Sequence, residues 1–284
     1  MSFIDKIKSR YKQGSIIEKL IYINIGVYFL THLVVLFQGP QPNQMNLILE
    51  WFSLDNSFSS LITKPWTIFS YGFLHADFLH ILLNLITLYF IGYLFIEYFT
   101  QKQLLTFYVL GTLSGGILFI LSQSYFPLFE GQTTVLVGAS AGISAIFIGI
   151  ATYIPNYQLK FRLIGFVKLW HLAAVWIGLD ILALSGGNAG GHFAHLGGAL
   201  FGFLYVRQAA NKEIKIWDKI LTLFSSKKKP LKTVYKSPKK TSKTSKNISL
   251  NQQQVDTILD KISKSGYDTL TKAEKDFLFK QGRK

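Results

Sequence analysis

Cysteine is absent from the 284 residues, which removes disulfides, thiolate nucleophiles and cysteine-ligated metals from consideration. Acidic residues are scarce: 15 Asp/Glu stand against 30 Lys/Arg, a formal net charge of +15. The N-terminal MSFIDKIKSRYKQGS lacks a small-residue cleavage site behind a short apolar core, so no removable signal peptide is expected. Charge of either sign is missing altogether from Gly131 to Leu159. A soluble protein of this length would interleave charged and apolar residues along its helices. Here the charges segregate instead, with 16 of the Lys/Arg and only 5 of the Asp/Glu from Ser225 onward. The remaining chain, in a protein that is 49% hydrophobic, reads as an all-α polytopic membrane protein.

A helix needs about 20 apolar residues to cross the hydrocarbon layer. The runs predict six spans, at 17–37, 75–96, 103–123, 134–154, 163–184 and 190–207. Spans four and five are separated by the Pro-bearing basic turn PNYQLKFR, and spans five and six by the uncharged SGGNAGG. With both termini cytoplasmic, 13 of the 14 Lys/Arg before the tail fall on the inner side and only Lys64 lies outside. The first external connection, 38–74, is rich in aromatics, and Trp51, Phe58, Trp66 and Tyr71 suit the headgroup layer.

Spans two, four and six then run in the same direction, so residues early in each share the outer part of the bilayer. These are His75, His80 and Asn84, then Ser140, then His192 and His195. Ser140 is the centre of Gly-Ala-Ser-Ala-Gly, the pattern that in soluble hydrolases sets a nucleophilic serine on a tight turn. Gly191, His195, Gly198 and Gly202 form one stripe on span six, and Gly138, Gly142, Ala145 and Gly149 form a smooth stripe on span four. Close packing of such stripes brings serine and histidine within reach. The expected machinery is a Ser140–His195 dyad, with His80, Asn84 and the Ser140 backbone N–H as donors to the oxyanion. Asp77 and Asp180 fall toward the external mouth, but nothing in their spacing ties them to His195. A lesser reading takes His192 and His195, with His75 and His80, as metal ligands. It is disfavoured because no HExxH and no intramembrane acidic ligand accompanies them, so no metal or cofactor is expected.

HADFLHILLN, GASAG and AHLGGALFG, in that order on spans two, four and six, resemble the rhomboid intramembrane serine proteases over residues 15–207. The resemblance implies a six-helix bundle with a short fourth helix starting at the serine, on the floor of a water-filled cavity. It implies Ser140 as nucleophile, His195 as general base, and His80, Asn84 and Ser140 N–H as the oxyanion hole. Glu97, Trp66 and the Gly198/Gly202 pair match the family's structural positions. Two departures stand out: Thr67 follows Trp66 where many members have Arg, and Ser144 occupies a position where some place a Tyr against the histidine. Substrates implied by the resemblance are single-pass membrane proteins, cut near the external end of their span. The location implied is a multi-pass bacterial inner membrane. A catalytically silent relative that binds membrane clients is the alternative; a small-solute transporter lacks the inverted repeat.

Residues 1–15 read as a cytoplasmic amphipathic N-terminus and 16–207 as the membrane domain. An amphipathic interfacial helix is expected over 208–224, with Ile214, Trp217, Ile220, Leu221 and Phe224 on one face. The Lys/Ser/Thr-rich 225–248 is expected to be a disordered linker drawn to anionic lipid rather than nucleic acid. Over 249–284, VDTILDKI stops at Gly266 and Thr271-x-x-Glu274 forms a capping box, predicting a small helical tail that docks on the membrane domain or a partner.

Overall fold

The uncharged runs become helices in the computed structural model, which describes residues 5, 9, 11, 13–38, 46–126, 129, 134–162, 164–209 and 244–281. The chain divides into two units, Met1–Trp217 and Asp218–Lys284. In the first, α1 is Ile16–Gln38, and the external connection holds the short helices α2 (Leu47–Phe52), α3 (Phe58–Thr63) and α4 (Thr67–Ser70). Then come α5 (Phe78–Tyr98), α6 (Gln101–Tyr125), α7 (Ser140–Tyr153), α8 (Leu169–Leu182) and α9 (Ala189–Ala209). The segment Ile16–Phe37 of α1, with α5 and α6, is long and apolar enough to cross a membrane. α7 and α8 are shorter apolar helices.

α7 forms the middle of the bundle: every residue from Ala141 to Ala151 is buried, which accounts for a sequence without charge. α6 and α9 press against it at backbone distance. A Cβ on Gly198 would collide with the Ala141 carbonyl oxygen, and one on Gly202 with that of Ala145. The two stripes expected to face each other do so only in part. Gly142 lies against Tyr108 and Thr112 of α6, and Gly149 against Phe107 of α6, so α9 rests on the Ala141 and Ala145 turns instead. An α-helix buried on all sides presents a small-residue surface to more than one neighbour, and periodicity alone does not assign which.

Two expected spans begin late. Val135–Leu136 is a short strand, β2, paired antiparallel with β1 (Leu54–Asp55), so the fourth helix starts at Ser140 rather than 134. Further on, β3 (Gln158–Phe161) pairs antiparallel with β4 (Gly165–Lys168), with Leu159 opposite Val167 and Lys160 opposite Phe166. Gly165 supplies the left-handed turn conformation at φ 82°, and the fifth helix starts at Leu169, six residues past the expected start.

The external connection is pinned by side chains. Trp66 Nε1 donates to the Trp51 carbonyl at 2.7 Å and the two indoles stack, while Ser70 Oγ donates to the Phe52 carbonyl at 2.7 Å. Thr67, where relatives were expected to carry Arg, is buried and donates to the Lys64 carbonyl at 2.7 Å. Trp51, Phe58 and Trp66 are exposed, as an interfacial segment requires, but Tyr71 is not. Its ring is wholly buried and its hydroxyl donates to the Thr112 carbonyl at 2.7 Å, making it a tie between this loop and α6. Glu97 is exposed near the end of α5, with no hydrogen bond or ion pair among the described residues, so it carries no visible structural load.

In the second unit, α10 (Thr244–Ser265) and α11 (Lys272–Gln281) form a helical pair. Gly266, at φ 83°, ends α10, and the Thr271 N–H donates to Glu274 at 2.7 Å as the capping box requires. Lys261 reaches the same carboxylate at 2.9 Å. α10 begins inside the segment expected to be disordered; residues 210–243, including most of the expected interfacial helix, lie outside the described residues.

Candidate active site

The turn that carries the serine is held from two sides before α7 begins. β2 is fastened to β1, and the Gly138 N–H donates to the Tyr71 carbonyl at 3.0 Å. Gly138 has φ 129°, a conformation L side chains rarely adopt, and a Cβ there would lie 2.8 Å from His80 Nε2. The same point is 3.4 Å from Ser140 Oγ, so the His80 ring and the serine converge on one small volume. Ser140 is the first residue of α7, which leaves its N–H among the donors at a helix N-terminus with no intrahelical acceptor.

Ser140 Oγ and His195 Nε2 are 2.7 Å apart, bridging α7 and α9 across 55 residues of sequence. Close packing at Gly198 is what permits this, because α9 can approach the Ala141 turn only without a side chain there. Asn84 is buried and donates one amide hydrogen to the His80 carbonyl at 2.9 Å, leaving its second for another acceptor. His75 lies edge-on to His80, with ring centroids 5.1 Å apart.

The absence of a carboxylate partner, expected from sequence, is overturned. Asp180 Oδ1 lies 2.8 Å from His195 Nδ1 and 2.7 Å from His192 Nδ1, and the residue is only 5% exposed. Asp180 ends up there because α8 and α9 are joined by a short turn and run antiparallel, so residues near the end of one meet residues near the start of the other. The sequence did hold a signal: Asp180 is the single charge in LWHLAAVWIGLDIL, and an ionised group in an apolar helix needs a partner. The other candidate acid, Asp77, is occupied differently, accepting from the His80 N–H at 2.9 Å as the cap of α5.

Trp176 of α8 was also missed. Its Nε1 donates to Ser144 Oγ at 3.1 Å, and its ring sits 6.4 Å from that of His195, tilted by 40°. Ser144 therefore anchors an aromatic ring from the neighbouring helix where some relatives supply a tyrosine of their own. Together the contacts form a line, hydroxyl to imidazole to carboxylate, in which the imidazole can take the serine proton and the carboxylate orients the ring, beside a set of N–H groups able to receive negative charge.

A family model described as Rhomboid domain matches residues 63–211, and a second, Family of unknown function (DUF6576), matches 242–281. RHOMBOID-like protein 12, mitochondrial, of Arabidopsis thaliana is 30% identical over 191 residues, covering 63% of this chain and 54% of its own. Presenilin-associated rhomboid-like protein A, mitochondrial, of Danio rerio is 27% identical, covering 61% and 44% respectively. Rhomboid-like protease 3 of Toxoplasma gondii is 29% identical, covering 64% of each. The chain thus spans between 44% and 64% of the length of these relatives. Two of the names are mitochondrial and none is bacterial, which gives the expected bacterial inner membrane no support. With three motifs on three adjoining helices and a domain match over just over half its length, the chain belongs to the rhomboid family.

Proposed function

We propose that this protein is an intramembrane serine endopeptidase that hydrolyses a peptide bond near the external end of a substrate's transmembrane helix, in a membrane whose inner side holds both termini. The observation that carries this is the 2.7 Å contact between Ser140 Oγ and His195 Nε2 at the N-terminus of a buried helix. The hydroxyl donates to Nε2, and the ring's own proton, on Nδ1, faces the Asp180 carboxylate, which favours the tautomer a general base needs. As Oγ attacks the scissile carbonyl, its proton passes to Nε2. The tetrahedral oxyanion is met by Ser140 N–H, the free Asn84 amide hydrogen and the His80 ring. His195 then returns its proton to the leaving amine, and water releases the acyl group by the same steps. The imidazole side chain of His195 is 20% exposed, so water can reach it.

A helical substrate hides its backbone, and scission needs a locally unwound strand in a hydrated pocket. Single-span membrane proteins are the substrate class this favours. The test pairs a fluorophosphonate probe with a model single-span substrate in detergent. Ser140→Ala is expected to abolish labelling, and His195→Ala to lower cleavage by at least about 10³-fold. Wild type and Ser140→Ala behaving alike would leave the silent, client-binding alternative.

A further inference from the structure

His192 and His195 together make more contacts with one Asp180 carboxylate oxygen than the Ser140–His195–Asp180 line uses. Both Nδ1 atoms converge on Oδ1, at 2.7 and 2.8 Å, while Oδ2 of the same buried carboxylate has no hydrogen-bond partner among the described residues. One imidazole would have satisfied the catalytic geometry. The second brings a further nitrogen to the cluster, and the three donor atoms lie within 4.8 Å of one another. We infer that Asp180, His192 and His195 form an inhibitory site for a divalent transition-metal ion of the zinc class, a reading that rests on the protease assignment for its effect on activity.

The donor set selects the ion. Two imidazole nitrogens and one carboxylate oxygen suit zinc better than calcium or magnesium, which take oxygen ligands. Three protein ligands leave a fourth position for water. At zinc bond lengths of about 2.0–2.2 Å, tetrahedral ligands stand about 3.3 Å apart. The two hydrogen-bonded contacts need to open by about 0.5 Å and the two Nδ1 atoms, within 4.8 Å of each other, to draw together, a shift that rotation of the two partly exposed imidazole rings supplies. Both histidine side chains are about one-fifth exposed, so an ion has access. Competing sites are few, because the chain has no cysteine and six histidines in all.

Occupancy would silence the serine through the imidazole tautomer. A neutral ring has one proton. When Nδ1 gives its lone pair to the metal, that proton is on Nε2, the atom 2.7 Å from Ser140 Oγ. Nε2 then donates to the hydroxyl and has no lone pair with which to take its proton. Ser140 becomes the outer-shell acceptor that steadies a metal ligand, and no net proton is released from the ring.

The test uses full-length, EDTA-stripped protein with any polyhistidine tag removed. Ser140→Ala, inert but with the three ligands intact, is titrated with Co2+ and followed by the visible band of tetrahedral cobalt. Wild type is titrated with Zn2+ and followed by probe labelling. One equivalent of cobalt is expected to bind, zinc to block labelling, and EDTA to restore it. In His192→Ala and His192→Gln, the zinc concentration for half-inhibition, each against its own metal-free rate, is expected to rise by at least about tenfold. Absence of stoichiometric cobalt binding, or inhibition unchanged in both His192 variants, overturns the site. Binding without loss of labelling overturns the switch. A metal-free wild type that never labels removes the protease assignment and the switch with it, while the cobalt band still decides the site.

Discussion

A hydroxyl, an imidazole and a carboxylate in line can be separated by replacing one atom. Asp180→Asn keeps the shape but presents an N–H toward His195 Nδ1, which favours the tautomer with its proton on Nε2. The expected outcome is a fall in kcat of about 10²–10⁴-fold, with KM and thermal midpoint little changed. A purely structural aspartate would move the midpoint instead. The approach of Ser140 to His195 was legible in the sequence because each sits in a motif at a set helical spacing. Asp180 and Trp176 were not, since each acts on a residue of another helix and its own neighbourhood is plain apolar span. Tyr71 was misplaced for the opposite reason: aromatic composition suggests an interface, whereas its hydroxyl finds a buried carbonyl.

Among the elements, α7 and α9 set the distance between serine and histidine, and glycines set the distance between the helices. Gly198→Val drives a side chain into the Ala141 carbonyl. It is expected to cost about 1–3 kcal/mol, measured by thermal unfolding, and to lower probe labelling steeply as the two catalytic groups move apart. Gly178→Ala on α8 is the matched control: nothing lies within 4 Å of its Cβ position, so stability is expected to hold or rise. The order of the apolar helices was readable from apolar runs. Helix starts were not, because Val135–Leu136 and Gly165–Lys168 are apolar enough to pass for span yet are taken up by strand pairing. The direction in which each small-residue stripe faces was equally hidden, as Gly142 and Gly149 turn to α6 rather than α9.

At the scale of the whole molecule, the chain couples a rhomboid bundle to a separate basic tail with its own helical pair. That pair is held partly by charge. The Lys261 ammonium, followed by the Thr271 N–H and hydroxyl, holds the Glu274 carboxyl down at about 2, below its ordinary 4.5. Because the folded value is the lower one, the contribution is complete above the ordinary value and is lost as the pH falls toward about 2. Protection of α10 and α11 amides in the full-length protein is expected to weaken over that window, and Glu274→Gln to flatten the pH dependence. The sequence by itself determined an α-helical membrane bundle, its helix order, and a serine and histidine at one depth, because apolar length and helical period are local properties of a chain. Only the tertiary structure decided that a carboxylate stands behind the histidine and that a second imidazole shares it. Those contacts depend on how each helix is rotated about its axis and where it ends, and packing against several neighbours sets both.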